Sequence, residues 1–249
     1  MNILVSNDDG VLAPGLALLA DACRAVGTVT VVAPDREQSA TSHSLTMHRP
    51  IRPTRRPDGA FQLDGTPTDC VMLALEALMP ERPAFVFSGV NLGPNMGEDV
   101  LYSGTVAAAM EAVMLGVPGI AISFAGDEPE MLATYRGRLV ELVRRIAGVR
   151  DYPRTTLLNV NLPAVPAPDV RGIKVTKLGS RFFSESLKRM QDPSGKEIYW
   201  IGGGTITWTG DQESDHVAVA EGYISVTPLQ MDLTNYSLLE TVRQWWLTD

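Results

Sequence analysis

Short apolar runs rich in β-branched residues alternate with helical patterns through the first 125 residues, which limits the possible folds strongly. Strands are predicted over residues 2–6, 28–33, 84–89 and 119–124, and helices over 14–27, 67–79 and 104–115. Strands that are apolar on both faces are typical of a parallel sheet covered by helices on both sides. We therefore expect a Rossmann-like, three-layer α/β/α fold with a mostly parallel sheet.

The pattern changes in the second half of the chain. A helix is predicted over 128–148, strands over 155–163, 172–179 and 222–229, and a terminal helix over 235–247. A length of 249 residues is within the range of one large α/β domain. We expect a single domain over 1–249, with a core and active site over about 1–150 and a C-terminal part over about 151–249.

The segment "EIYWIGGGTITWTG" at 197–210 predicts a β-hairpin extension that turns at Gly202, Gly203 and Gly204. Its arms carry aromatic residues, and an isolated hairpin buries them poorly. We expect this hairpin to pack on another subunit in a homodimer or homotetramer. A lid over the active site of its own subunit is the alternative.

Composition excludes several classes of protein. The net charge is −8, from 21 Lys and Arg against 29 Asp and Glu, so a broad surface for nucleic acid or for an anionic membrane is not expected. No run of about 18 apolar residues predicts a membrane span, and no signal peptide pattern is present. Cys23 and Cys70 are expected to be buried free thiols, which favours a cytoplasmic protein.

Polar residues follow three of the predicted strands, at the sheet edge where parallel α/β proteins bind ligands. They are Asn7, Asp8 and Asp9 in the first loop, Asp35, Arg36, Gln38 and Ser39 in the second, and Asn91 and Asn95 in the third. Carboxylate, hydroxyl and amide oxygens suit a hard divalent cation such as Mg²⁺ or Mn²⁺. A cation would also offset the repulsion between the adjacent aspartates, although Asp8 in an Asx turn or as a helix cap is the simpler alternative.

A second motif is "YSGTVAAAMEAVMLG" at 102–116, where Ser103, Gly104 and Thr105 begin an Ala-rich helix. Free N–H groups and the helix dipole at such a terminus bind anions, although ordinary N-capping by Ser103 or Thr105 is the alternative. The glycine-rich loop that precedes the helix is long for a simple connection. It predicts that the turn binds phosphate and that Asn95 is a second phosphate contact.

Other polar residues are weaker candidates. His43 and His48 could act as acids, but solvated loop histidines are more common, and His216 lies in "SDHVAV", which predicts a strand. "GTPTDC" at 65–70 predicts a turn into a helix that Thr66 or Thr68 caps.

Five segments together resemble the survival protein E family of metal-dependent 5′-nucleotidases. They are "ILVSNDDG", "APDREQSATSHSLT", "GTPTDCV", "SGVNLGPNMGEDVLYSGTVAAAMEA" and "GYISVTPL", in matching order over residues 3–229. The resemblance implies one divalent metal ion held by Asp8, Asp9, Ser39 and Asn91, and phosphate contacts from Asn95, Ser103, Gly104 and Thr105. It also implies dimers or tetramers and activity on 5′-mononucleotides, often on 3′-mononucleotides, and in some members on polyphosphate.

Three positions depart from the family pattern. Leu12 stands where the family often has His, so no general acid or base is assigned there. Phe87 and Ala112 replace smaller residues without removing a candidate ligand.

The chemistry predicted from these residues is hydrolysis of a phosphate monoester. The metal would bind a phosphate oxygen and activate water, while Asp8 or Asp9 orients that water. A covalent aspartyl-phosphate at Asp8 is an open alternative. A nucleotide-binding sensor without catalysis is the competing function, and a glycosyltransferase-like site is a more distant one.

Overall fold

The computed structural model describes residues 1–184, 187–202 and 204–247. Its thirteen strands are β1 Asn2–Ser6, β2 Thr28–Pro34, β3 Pro53–Arg55, β4 Phe61–Leu63, β5 Phe85–Leu92, β6 Gly119–Phe124, β7 Thr156–Leu162, β8 Ile173–Val175, β9 Ser180–Ser184, β10 Leu187–Gln191, β11 Glu197–Ile201, β12 Thr205–Thr209 and β13 Ile224–Gln230. Its α-helices are α1 Pro14–Arg24, α2 Pro67–Leu73, α3 Gly104–Met114, α4 Pro129–Ala133, α5 Arg136–Ala147, α6 Asp215–Ala220 and α7 Leu239–Leu247. A π-helical turn, Ala74–Leu78, extends α2, and short 3₁₀ helices cover Gly97–Leu101, Ala167–Asp169 and Tyr236–Leu238.

Nine strands form the central sheet in the order β3-β4-β2-β1-β5-β6-β7-β13-β8. The six strands from β4 to β7 run parallel, whereas β3 and β13 pair antiparallel to their neighbours β4 and β7. The chain extends the sheet in one direction from β1 and then returns to add β5 on the other side of β1. Strands β1 and β5 therefore flank a topological switch point, where the loops that follow them diverge and leave a crevice.

Helices cover both faces of the sheet, which confirms the predicted three-layer α/β/α fold. Alternate residues of β1 reach different cores, because successive strand side chains point to opposite faces. Ile3 and Val5 pack in the core under α1 and α5, and Leu4 packs in the core under α2 and α3. All three side chains are fully buried.

The predicted hairpin over 197–210 is wrong in its pairing. Strand β11 pairs with β10, and β12 pairs with β9, so the two predicted arms do not pair with each other. The tight turn lies instead at 192–196, where the Asp192 carboxylate accepts hydrogen bonds from the N–H groups of Ser194 and Lys196. Of the three glycines predicted at the turn, Gly203 lies outside the described residues. Strands β9–β12, in these two antiparallel pairs, are called the β-arm below.

Other differences are local. The pair β3 and β4 was not predicted, since each has only three residues. The "SDHVAV" segment is helical and belongs to α6, so the predicted strand around His216 is wrong. Thr66 is the cap of α2, where it and Asp69 form a capping box. No helix within the described residues is long and apolar enough to cross a membrane.

Candidate active site

The predicted metal ligands lie around the switch point between β1 and β5. Asp8 and Asp9 follow β1 directly, and Asn91 lies near the end of β5, which is the strand paired with β1. Ser39 comes from the loop after β2, the neighbour of β1 on its other side. Three neighbouring strands thus supply the four candidate side chains at one edge of the sheet.

Asp8 contacts the first turn of α3. Its side chain is 4% exposed, and its Oδ1 atom accepts a hydrogen bond from the Thr105 hydroxyl. A Cβ atom placed on Gly104 would lie 2.8 Å from the Asp8 Cβ atom, so only glycine allows the helix to approach this closely. The positive end of the α3 dipole therefore lies against Asp8.

The two aspartates and Glu37 form a concentration of negative charge. Burial raises the pKa of Asp8, and the Thr105 hydroxyl offsets part of that effect. Burial raises the pKa of Asp9 to about 6, with a further contribution from the Asp8 charge, while a hydrogen bond from the Leu92 backbone lowers it. Glu37 adds to the repulsion at both carboxylates.

Four buried oxygen atoms near the ends of β1 and β5 have no hydrogen-bond partner among the described residues. They are Ser6 Oγ, Asn7 Oδ1, Asp9 Oδ2 and Ser88 Oγ. Buried polar atoms are normally paired, so such a concentration calls for a ligand or ordered water. The unpaired Asp9 oxygen beside a second carboxylate is the arrangement that a hard cation stabilises.

The loop that carries Ser39 also lies against Asp8. The Gln38 backbone N–H donates to the Asp8 carbonyl oxygen at 2.8 Å. Ser39 is exposed, and its hydroxyl donates to the Glu37 carboxylate at 2.6 Å. Ser39 therefore directly follows a residue that contacts Asp8, but its hydroxyl is bonded to Glu37 and not to either aspartate.

Two buried acids on other elements hold the far part of the same loop. His43 Nε2 lies 2.7 Å from Glu111 Oε2, and the Glu111 side chain on α3 is almost fully buried. The hydroxyl of Thr46 donates to the Asp69 carboxylate of α2 at 2.6 Å. His43 is thus a paired residue and not the solvated loop histidine that the sequence favours, whereas His48 is exposed.

A β-bulge directs Asn91. The register between β5 and β6 shifts between Gly89 and Asn91, and a bulge of this kind changes the direction of the following side chains. Gly89 has a φ of +130°, and a Cβ there would lie 2.1 Å from the Ile122 carbonyl oxygen. The Asn91 side-chain amide donates to the Gly93 carbonyl oxygen at 2.7 Å, which leaves its Oδ1 atom as the candidate ligand.

Asn95 is held mainly by β6 and β7. Its side-chain amide donates to Ser123 Oγ at 2.8 Å, and its backbone N–H donates to Asn161 Oδ1 at 2.8 Å. Its carbonyl oxygen accepts from the side chains of Asn159 and Asn161. These bonds fix the glycine-rich loop. Within the described residues, no hydrogen bond joins the Asn95 side chain to the turn at 103–105, so a phosphate contact at Asn95 stays a prediction.

Ser103 is the N-cap of α3. Its Oγ accepts a hydrogen bond from the Val106 N–H at 3.1 Å, and its own N–H donates to the Asp99 carbonyl oxygen. The capping alternative therefore describes Ser103, and Thr105 contacts Asp8. Capping does not exclude anion binding, because the same helix terminus still directs its dipole at the site.

Asp215 is a buried residue that the sequence did not single out. Its carboxylate accepts hydrogen bonds from the N–H groups of Gly97, Gly179 and His216, at 2.8–2.9 Å. It thereby joins the loop before α3 to the base of the β-arm and to α6. Arg181 of the arm makes a second link, through hydrogen bonds to Glu98 and Asp99.

The sequence held weak signals for some of these supporting residues. Asn159 and Asn161 alternate in "LLNVNLP", which places two amides on one face of an otherwise apolar strand. Glu37 lies two residues before Ser39 and has no pattern of its own. No group of three or more His, Cys, Asp or Glu side chains within the described ranges is arranged to hold a metal ion. The candidate set, with two carboxylates, one hydroxyl and one amide, is of a different composition.

Comparisons with known proteins all point to the same family. A family model described as "Survival protein SurE" matches residues 3–185. A curated protein of Gemmatimonas aurantiaca, named 5′-nucleotidase SurE, is 58% identical over 249 residues, covering 99% of each chain. One from Geobacter metallireducens with the same name is 47% identical and covers 98% of this chain and 97% of its own.

A solved structure gives the same result at the level of the fold. The crystal structure of the SurE protein from Aquifex aeolicus superposes with a TM-score of 0.86 at 39% sequence identity. The match covers 99% of this chain and 100% of that one.

Proposed function

This chain belongs to the survival protein SurE family, and we propose that it hydrolyses nucleoside 5′-monophosphates to a nucleoside and phosphate. It is accordingly a phosphoric monoester hydrolase. One observation carries the proposal: buried Asp8, beside half-buried Asp9, lies directly against the N-terminus of α3, where Gly104 and Thr105 contact it. A cation-binding pair beside an anion-binding helix terminus suits a phosphate ester.

The residues at the site fit one divalent cation, Mg²⁺ or Mn²⁺. Asp8, Asp9, Ser39 and Asn91 would hold it, since all four offer hard oxygen atoms. The fit rests on Asp9 Oδ2, which is buried without a protein partner, and on the raised pKa of both aspartates. When bound, the cation supplies Lewis acidity at a phosphate oxygen and lowers the pKa of coordinated water.

Groups of the protein itself bind the phosphate and orient the reactants in the proposed reaction. The first turn of α3 binds the phosphate through its dipole and backbone N–H groups, and Asn95 is proposed as a second contact. Thr105 holds the Asp8 carboxylate in one orientation. One of the two aspartates orients the attacking water, and nucleophilic attack by Asp8 remains the alternative.

We also propose a homodimer or homotetramer in which the β-arm contacts a second copy. The arm and the terminal helix α7 expose large apolar side chains that a monomer does not usually expose together. They include Leu187, Tyr199, Trp200, Ile201, Trp245 and Trp246, each more than half exposed. The lid alternative places the same arm over its own subunit's site, and the molecular mass in solution distinguishes the two.

A cytoplasmic location and a single domain over 1–249, with the site in about 1–150, complete the proposal. Cys23 and Cys70 are both buried free thiols, which suits a reducing compartment. No nucleic acid polymer and no membrane surface is proposed as a partner, given the net charge of −8.

The test is phosphate release from a panel of 5′-mononucleotides, 3′-mononucleotides and polyphosphate, with Mg²⁺, Mn²⁺ or EDTA. Release from 5′-mononucleotides that EDTA abolishes is expected. The other substrates show whether the 3′-nucleotidase and exopolyphosphatase activities are present. Nucleotide binding without release under any metal would contradict the proposal and favour the sensor.

A further inference from the structure

A cleft lies beside the glycine-rich loop, on the side of β6 and β7. Its volume is about 670 Å³, which is within the range of small-molecule sites. The lining is mostly apolar, with contributions from Pro94, Met96, Val165, Ile206, Trp208 and His216. Nothing in the proposed chemistry of phosphate release uses these side chains.

The cleft adjoins the loop that leads to the candidate active site. Pro94 and Met96 line it on either side of Asn95, the predicted phosphate contact. The same loop continues through Gly97 and a 3₁₀ helix to the N-cap Ser103. This loop therefore connects the cleft to the α3 terminus, where the phosphate of the substrate is proposed to lie.

One wall of the cleft is an ordered aromatic stack. The Trp208 indole and the His216 imidazole are stacked, with ring centroids 4.9 Å apart and planes 13° apart. The Arg181 guanidinium lies 5.5 Å from the Trp208 ring centroid. Asp215 fixes the backbone of Gly97, and a Cβ there would lie 3.2 Å from the Trp208 ring. These contacts hold the wall formed by Trp208 and His216 against the glycine-rich loop that precedes α3.

We propose that this cleft is the nucleobase subsite, with the base packed against the wall that Trp208 and Ile206 form. The inference rests on the proposed phosphohydrolase function. A purine or pyrimidine is flat, aromatic and uncharged, and aromatic and apolar walls bind such rings without needing a hydrogen-bond code. A bare phosphate or a sugar phosphate has no group that matches this lining.

The first experiment compares kcat/KM for AMP with kcat/KM for ribose 5-phosphate, which carries the same phosphate and ribose but no base. Trp208→Ala and Ile206→Ala are tested against Val175→Ala, an exposed apolar strand residue that does not line the cleft. Stacking on an aromatic side chain is strong enough that its loss lowers kcat/KM for AMP roughly tenfold or more. The value for ribose 5-phosphate stays within about twofold, since only base contacts are removed.

A second experiment starts with the unmodified protein, so its main result does not depend on whether the variants fold. Adenosine is expected to inhibit turnover of ribose 5-phosphate competitively, and ribose is expected to inhibit far less. Trp208→Phe, which keeps an aromatic ring, should retain most of the inhibition.

The outcomes separate the two proposals. Equal losses on both substrates, or no loss on either, would overturn the subsite, as would equal inhibition by adenosine and ribose. In each case phosphate release by the unmodified protein would leave the phosphohydrolase function standing. No metal-dependent release from AMP or ribose 5-phosphate would overturn the function and the subsite together.

Discussion

The Thr105 hydroxyl donates a hydrogen bond to Asp8 Oδ1, and this contact joins the end of the first strand to the first turn of α3. Both side chains are buried, and 97 residues of sequence separate them. The bond does two things at once. It satisfies one oxygen of a desolvated carboxylate and sets the distance between the candidate cation ligands and the helix terminus that faces the phosphate.

Thr105→Val tests that contact with little change in side-chain volume. The variant leaves the buried Asp8 oxygen without its donor, which costs about 1–3 kcal/mol of stability. We expect kcat to fall roughly tenfold to a hundredfold, because the carboxylate is no longer held in one orientation. Steady-state phosphate release measures the effect. Thr105→Ser, which restores the donor, should recover most of the rate, and equal losses in both variants would contradict the assigned role.

Asp8→Asn and Asp9→Asn test the aspartate pair. Each removes one negative charge while keeping the shape of the side chain, so circular dichroism should show an intact fold. We expect turnover below about 1% of the unmodified rate, because both the cation and the oriented water depend on the carboxylates. Full activity in either variant would exclude that aspartate from the metal site.

The fold could be predicted well from the sequence wherever local pattern and tertiary packing agree. Strand β1 is predicted and observed over 2–6, since its continuous apolar run fits only a strand that is buried on both faces. The β-arm was mispredicted because its pairing is decided by register over a long distance. Gly202 and Gly204 resemble a turn locally, while the turn formed around Asp192.

The candidate site shows a similar division. The position of Asp8 and Asp9 could be predicted, because ligands in parallel α/β sheets bind beyond the carboxyl ends of the strands and both residues directly follow β1. Asp215 could not be found in that way, since its role comes from accepting three backbone N–H groups, two of which lie 36 and 118 residues away. Backbone contacts of this kind depend on the assembled fold and leave no pattern of residue types.

Thr46→Val tests how the loop that carries Ser39 is held. The variant removes the hydroxyl that donates to Asp69 at 2.6 Å, so the loop is less constrained. Supporting residues around metal sites typically change affinity tenfold to a hundredfold, and we expect a roughly tenfold weaker apparent affinity for Mn²⁺. The kcat at saturating metal should change little. A loss of kcat with unchanged metal dependence would contradict this role for the loop.

Asp9 predicts how stability depends on pH without metal. Its pKa in the folded chain is raised from 3.8 to about 6, so folding favours the protonated carboxyl. The associated stability is fully present below pH 3.8 and is lost as pH rises through about 6. Asp9→Asn removes that loss and should stabilise the metal-free protein at pH 7 by roughly 1–2 kcal/mol, an effect limited by solvent screening of a partly exposed group.

Thermal unfolding in EDTA at pH 5 and pH 7 measures this effect. Because other groups also titrate, the quantity compared is the difference in Tm between Asp9→Asn and the unmodified protein at each pH. That difference should be larger at pH 7 than at pH 5, and Mg²⁺ should remove it by stabilising only the unmodified protein. A difference that is the same at both pH values would contradict the raised pKa.

Asp215→Asn tests whether α6 positions the loop that leads to the phosphate turn. The carboxylate accepts from Gly97 and Gly179 through different oxygens, and an amide would present an NH₂ group to one of these N–H donors. Because the site is fully buried, we expect a loss of about 2–4 kcal/mol in the free energy of unfolding. At a temperature where the variant is folded, kcat should also fall, since the loop before Ser103 is no longer fixed.

Glu213→Gln, an exposed neighbour with the same change of charge, is the control and should match the unmodified protein. A stable Asp215→Asn variant with normal kcat would show that the loop is held without this carboxylate.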